Sequence, residues 1–191
     1  MKKLMIAAML VAAATASMAS TVTWGTASGI KMPAGPNKDS NITKARTGLE
    51  TYLFVLDAAI TGDVFEGLTT KKDDGTWALN ATPDKTKESG TFSSGQLKLT
   101  DPNTYTDTTV TEYAAILLWY DTDGSGTINA GDYVNAGQGS QAITSPGATY
   151  TPQMASVSNT NWKQLEAVPE PTSAMLLLLG VAGLALRRRR A

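Results

Sequence analysis

The sequence predicts an all-β fold: a single β-sandwich or jelly-roll-like domain, flanked by an N-terminal signal helix and a C-terminal transmembrane helix. Three observations predict it. Short runs alternate polar with apolar residues, as half-buried strands do. Clusters of Gly, Asp, Asn and Ser separate those runs, and such residues turn the chain. Two longer runs are apolar on both faces and rich in aromatic and branched side chains, which suits buried central strands.

Taken in order, Thr21 to Trp24 alternates, and Gly25 to Asn41 is a loop dominated by Gly, Pro and Asn. Tyr52 to Leu56 is the first two-faced apolar run. Short helical turns suit 41–50 or 58–67. Thr76 to Ala81 and Thr91 to Thr100 alternate again, the latter through Phe92, Leu97 and Leu99. Val110 to Tyr120 is ambiguous, because Val110, Tyr113, Ala114, Leu117 and Leu118 also fit one helical face. Ile116, Trp119 and Tyr120 make the opposite face apolar, so strand is preferred. Tyr133 to Ala136, Gln141 to Thr144 and Trp162 to Val168 complete the strands.

The two ends read as addresses. Lys2 and Lys3 precede an apolar run from Leu4 to Ala14 and then small residues, the three parts of a secretory signal. Ser17-Met18-Ala19 puts small side chains where signal peptidase reads them, so the expected cut follows Ala19 and residues 1–19 are removed. At the other end, Pro169-Glu170-Pro171 is followed by Thr172 to Leu186 without a charge, and then by Arg187, Arg188, Arg189 and Arg190. The uncharged stretch spans about 22 Å as a helix, somewhat short of a ~30 Å hydrocarbon core, and snorkelling arginines and local thinning make up the difference. The arginines orient that end to the cytoplasm, leaving residues 20–167 outside.

Residues 168–191 resemble the PEP-CTERM sorting signal, with Pro169, Glu170 and Pro171 as the processing motif and the arginine cluster as its close. The resemblance implies an integral-membrane exosortase that recognises the motif, cuts near it and passes the domain to the cell surface or matrix. Two prolines cannot continue a helix, so the motif stays extended at the membrane edge.

Composition narrows the activity. With no Cys and no His, the chain offers no disulfide, thiolate metal site, cysteine nucleophile or Ser-His-Asp triad. Its formal charge of −1 becomes about −6 once both addresses are set aside, so no nucleic-acid partner is expected. Carboxylates alone can run glycoside hydrolysis, but no pair stands out by spacing, and the chain is expected not to be an enzyme.

One segment carries possible chemistry. In Asp121-Thr122-Asp123-Gly124-Ser125-Gly126-Thr127-Ile128-Asn129-Ala130-Gly131-Asp132, oxygen side chains recur at the spacing a hard cation needs. The stretch resembles an EF-hand or dockerin-type calcium loop. The implied ligands are Asp121, Asp123, Ser125, the Thr127 carbonyl, Asn129 and Asp132, and calcium is the implied cofactor. The loop stands single between extended flanks, and the same residues also suit a metal-free connection between Tyr120 and Tyr133. Both readings stand at this point.

The expected role is therefore an exported surface or extracellular-matrix protein. Its expected partners are signal peptidase, exosortase, transiently the inner membrane, and extracellular polysaccharide. The alternatives are a glycan-binding module stacking sugars on Trp24, Trp77, Trp119 or Trp162, a small hydrolase, and an ice-binding surface built on Thr104, Thr106 and Thr108.

Overall fold

The computed structural model describes residues 18–42, 47–84, 91–93 and 95–166. The expected signal helix, sorting motif, apolar helix and arginine cluster lie outside them. Among the described residues no helix is long and apolar enough to cross a membrane.

The all-β class is what the chain adopts. Its strands are β1 (Thr21–Thr26), β2 (Leu49–Leu56), β3 (Thr69–Lys71), β4 (Trp77–Leu79), β5 (Thr91–Ser93), β6 (Gln96–Thr100), β7 (Thr111–Tyr120), β8 (Tyr133–Ala142), β9 (Thr149–Tyr150), β10 (Gln153–Met154) and β11 (Lys163–Gln164). The first sheet runs β10-β1-β6-β5, with β9 also pairing β1, and the second runs β11-β8-β7-β2. A separate hairpin joins β3 to β4, and neither sheet closes on itself.

The two sheets share a core. Val22, Trp24, Leu97 and Leu99 face Leu53, Ile116, Leu118 and Ile143 across it. A second core lies on the other side of the second sheet, where Phe54, Leu117, Trp119 and Val134 meet Phe65, Leu68, Ile128 and Leu165. β7 is therefore covered on both faces, which explains why Ala114 to Tyr120 carries apolar side chains at every position. Each fully buried Leu or Ile contributes about 1.5–3 kcal/mol, so the two-sided run outweighs its helical periodicity.

Among the described residues the one α-helix, α1 (Val64–Leu68), falls at the edge of the expected turn region. Asp63 caps it by accepting from the Glu66 amide at 3.1 Å, while Phe65 and Leu68 turn into the second core. The chain then leaves directly into β3.

Several boundaries differ from the sequence reading. Thr91 to Thr100 is a hairpin rather than one strand, with Gly95 at φ 75° in its turn. Tyr133 to Ala136 and the first two residues of Gln141 to Thr144 belong to one strand, β8, running through Gly137 and Gly139 and ending at Ala142. Those glycines are there for packing: Gly137 abuts Ser156 and Val157, and a Cβ on Gly139 would stand 3.4 Å from both Met154 and Trp24. Of the expected strand Trp162 to Val168, the described residues, which end at Glu166, contribute the two residues of β11. Thr104, Thr106 and Thr108 do not share a strand face, because the only pairing there is the isolated bridge between Tyr105 and Ser20.

Candidate functional site

Tyr120 and Tyr133 are paired as the last rung of β7 and β8, and the chain between them forms the Asp121–Asp132 loop. Asp121 folds its first turn. Its Oδ1 accepts from the amides of Gly124 and Ser125 at 2.8 and 3.2 Å, and its Oδ2 accepts from the Gly126 amide at 2.8 Å. Gly124 and Gly126 sit at φ 74° and 70°, which L side chains rarely adopt. Asp123 accepts from the Ser125 amide at 2.9 Å and from Asn129 Nδ2 at 3.0 Å. The Ser125 amide and hydroxyl, then Asn129, hold the Asp123 carboxyl down to about 2.

Asp132 has a different part. It is fully buried, and each oxygen receives two hydrogens. Oδ2 accepts from Trp119 Nε1 at 2.9 Å and the Asn129 amide at 3.0 Å. Oδ1 accepts from the Thr122 amide at 2.9 Å and the Thr122 hydroxyl at 3.0 Å. One carboxylate oxygen from each of Asp121, Asp123 and Asp132 lies within 4.8 Å of the others. The fold thus gathers the three acids the spacing singled out. Ser125 and Asn129 join Asp123, with Asn129 Nδ2 donating to Ser125 Oγ at 2.9 Å and Ser125 Oγ donating to the Thr127 carbonyl at 3.0 Å. The set is all oxygen apart from the Asn129 amide, which suits a hard cation once that amide turns its oxygen inward.

The loop is also a junction. Ile128 buries its side chain in the second core and accepts the Trp77 amide at 2.8 Å, fastening the β3–β4 hairpin. At its end, the Leu165 amide donates to the Asp132 carbonyl and the Gly131 amide donates to the Leu165 carbonyl, both at 2.8 Å. Leu165 is itself buried. Sequence reasoning missed both fastenings, since neither Trp77 nor Leu165 has a local pattern that announces a partner so distant along the chain.

Beside the junction lies an open cleft of about 590 Å³, its lining including Phe65, Glu66, Lys71, Trp77, Leu165 and Glu166. Trp77 is half-buried there, whereas Trp24 and Trp119 are core residues. Trp162 packs on the first core and donates its Nε1 to the Lys31 carbonyl at 3.0 Å. Of the four tryptophans, Trp77 alone lines this cleft.

A second buried carboxylate, Asp101, accepts from Trp24 Nε1 at 3.3 Å, from the Tyr105 hydroxyl at 3.0 Å and from the Asn103 amide at 2.8 Å. Glu112 sits near Tyr105 and Asp101, and burial pushes its carboxyl above the ordinary value.

Residues 167–190 match the family model described as the PEP-CTERM protein-sorting motif. The tail is a PEP-CTERM signal. The match takes in Pro169, Glu170, Pro171 and the arginines Arg187 to Arg190, and it begins directly after Glu166, the last described residue. No curated protein and no solved structure matches the chain. The PEP-CTERM signal marks an exported protein sorted toward the cell surface, with exosortase as its processing partner.

Proposed function

We propose that this chain is a non-enzymatic surface or extracellular-matrix protein, a β-sandwich module delivered by a removable signal peptide and a removable tail. The apolar stretch 172–186 anchors it transiently in the inner membrane, with Arg187 to Arg190 held in the cytoplasm. Exosortase then cuts near Pro169-Glu170-Pro171 and frees the domain. The match over residues 167–190 carries this reading. The buried carboxylates support the non-enzymatic part: Asp101 and Asp132 are each occupied by tryptophan and backbone donors rather than held free to move protons. Pulse-chase labelling in the native host tests it. The wild type should lose about 2 kDa of tail on reaching the surface, the mass of roughly twenty residues, and replacing Pro169, Glu170 and Pro171 by alanine should stop that loss. A wild-type chain that keeps its full mass in the envelope would refute the reading.

We further propose that calcium stiffens the Asp121–Asp132 loop, favoured by the three gathered carboxylates. Asp121, Asp123, Ser125, Asn129, Asp132 and the Thr127 carbonyl would supply the oxygens, with Asp132 also bracing the loop from behind. For an extracellular-type site of ~10⁻⁴–10⁻³ M affinity, 10 mM calcium contributes about 1.4–2.7 kcal/mol. That raises Tm by about 3–10 °C in a domain of this size. The rise should vanish in Asp121→Ala. An unchanged wild-type Tm would end the calcium proposal.

A further inference from the structure

We propose that the cleft beside Trp77 binds a neutral polysaccharide strand, a step that rests on the extracellular destination argued above. Its floor is apolar and rigid. Phe65 and Leu165 are each 4% exposed, and the Trp77 ring stands 6.3 Å from Phe65 at a 52° tilt. Trp77 is fixed at its backbone by the Ile128 carbonyl and by pairing with Lys71 across the hairpin. The rim carries both signs, with Lys71 and Lys163 against Glu66 and Glu166, and Lys163 Nζ lies 3.9 Å from Asp63 Oδ2 beside it. A phosphate or polyanion would meet the carboxylates, and a cation would meet the ammonium groups. A sugar suits both parts, because its C–H face is apolar while its hydroxyls donate to carboxylates and accept from ammonium groups.

The volume of about 590 Å³ lies within the range of small-molecule sites and is open at the surface, as an entering polymer requires. Lys71 Nζ lies 4.7 Å over the Trp77 ring. Such a contact at an exposed site is weak, so an arriving sugar ring can take that face and leave the ammonium at the rim as a donor. β11, at the cleft wall, is only two residues long, too short an edge to template an added peptide strand.

The test uses the protein purified from its native host, whether or not its tail has been removed, with cellohexaose, laminarihexaose and dextran as neutral probes, followed by calorimetry. Polygalacturonate and an unstructured peptide serve as comparisons. At least one neutral glycan should bind saturably, with affinity lowered about tenfold or more by Trp77→Ala and by the surface change Glu66→Gln. Trp162→Phe should leave it unchanged. If no neutral probe binds at millimolar concentration, if both cleft variants bind like the wild type, or if the polyanion or peptide binds more tightly, the proposal fails. Glu66→Gln keeps the test sound should Trp77→Ala fail to fold. The binding is read in solution, so its failure is distinct from a failure of tail processing.

A separate observation concerns the front end. Ser20 is fully buried; its amide donates to the Tyr105 carbonyl at 2.7 Å, and its hydroxyl donates to the Ser145 carbonyl at 2.7 Å and accepts the Ala148 amide at 3.2 Å. Contacts continue upstream. The Met18 carbonyl accepts the Gly147 amide at 2.9 Å, and a Cβ on Gly147 would stand 2.8 Å from Met18 Cβ. A cut after Ala19 would remove that acceptor and leave an ammonium at Ser20, whose three hydrogens face one carbonyl at bonding distance.

We infer that signal peptidase cuts instead after Ala16, where Ala14 and Ala16 supply the small side chains it reads, so that Met18 and Ala19 stay with the domain. Mass spectrometry of the exported protein should find Ser17 as the first residue, and Ala16→Leu should slow processing more than Ala19→Leu. A mature chain beginning at Ser20 would overturn the inference, as would an uncut N-terminus.

Discussion

Replacing Asp132 by alanine removes a carboxylate on which four hydrogen bonds converge, from Trp119 Nε1, the Asn129 amide, and the amide and hydroxyl of Thr122. Trp119 is 5% exposed and Asp132 is 0% exposed, so water does not readily replace the lost acceptor. A buried donor left unsatisfied costs about 1–3 kcal/mol. The Thr122 hydroxyl can turn elsewhere, which leaves three fixed N–H groups, some of them recovering water as the loop relaxes. The expected loss is about 3–5 kcal/mol, a large share of a domain's stability. Asp132→Asn keeps one acceptor but turns an NH₂ toward two donors, and should cost about 2–4 kcal/mol. Urea unfolding of the exported protein measures both. With a slope near 2 kcal/mol/M, the alanine variant should lose roughly 2 M in midpoint. A loss below about 1 kcal/mol for alanine would mean that the carboxylate does not organise the loop, and the account of Asp132 as its brace would fall.

Three further outcomes follow from the packing and the charges. The raised Glu112 carboxyl holds its proton more tightly in the folded chain, because of burial first and then the Asp101 and Asp57 charges, against a Tyr105 hydrogen bond. Its contribution is therefore fully present below the ordinary carboxyl value near 4.5 and is lost as pH rises through the raised value; Glu112→Gln should flatten that decline in a pH series of urea midpoints. Asp123 has the opposite sign: held down to about 2 chiefly by the Ser125 amide, it contributes above about 3.8 and loses that contribution as pH falls toward 2, so Asp123→Asn should make acid unfolding less steep. Gly137→Ala places a methyl group against Ser156 and within 2.7 Å of Val157, an overpacking that should cost about 1–3 kcal/mol by the same urea assay, with no gain in Tm.

How much of this was legible from residues alone depends on how far each signal reaches along the chain. The two-faced apolar character of Ala114 to Tyr120 declared a buried strand, and the structure covers both faces. The Asp121–Asp132 stretch likewise announced a polar connection between Tyr120 and Tyr133, and the fold brings three of its acids together. What the sequence could not announce depends on distant partners. Gly137 and Gly139 look like a break between strands until Trp24, Met154, Ser156 and Val157 arrive beside them. β9 and β10 are two residues each, and they exist only because β1 offers them a parallel edge more than a hundred positions away. Periodicity cannot reveal a strand too short to have a period.

The two buried aspartates carry the last step of the argument. A chain exported without cysteine has no covalent staple for its loops. Asp101 and Asp132 take up part of that task, each gathering one tryptophan indole and at least one backbone amide. Asp132 reaches further through its backbone, because its carbonyl accepts the amide of Leu165, two positions before the PEP-CTERM match begins. The stability of the loop and the hold on Leu165 are thus one quantity. A disulfide would bind such segments through one covalent bond, whereas these hubs rely on several hydrogen bonds converging on one carboxylate. Asp132→Ala should accordingly loosen both segments together, with amide exchange at Leu165 and at Asn129 accelerating in parallel.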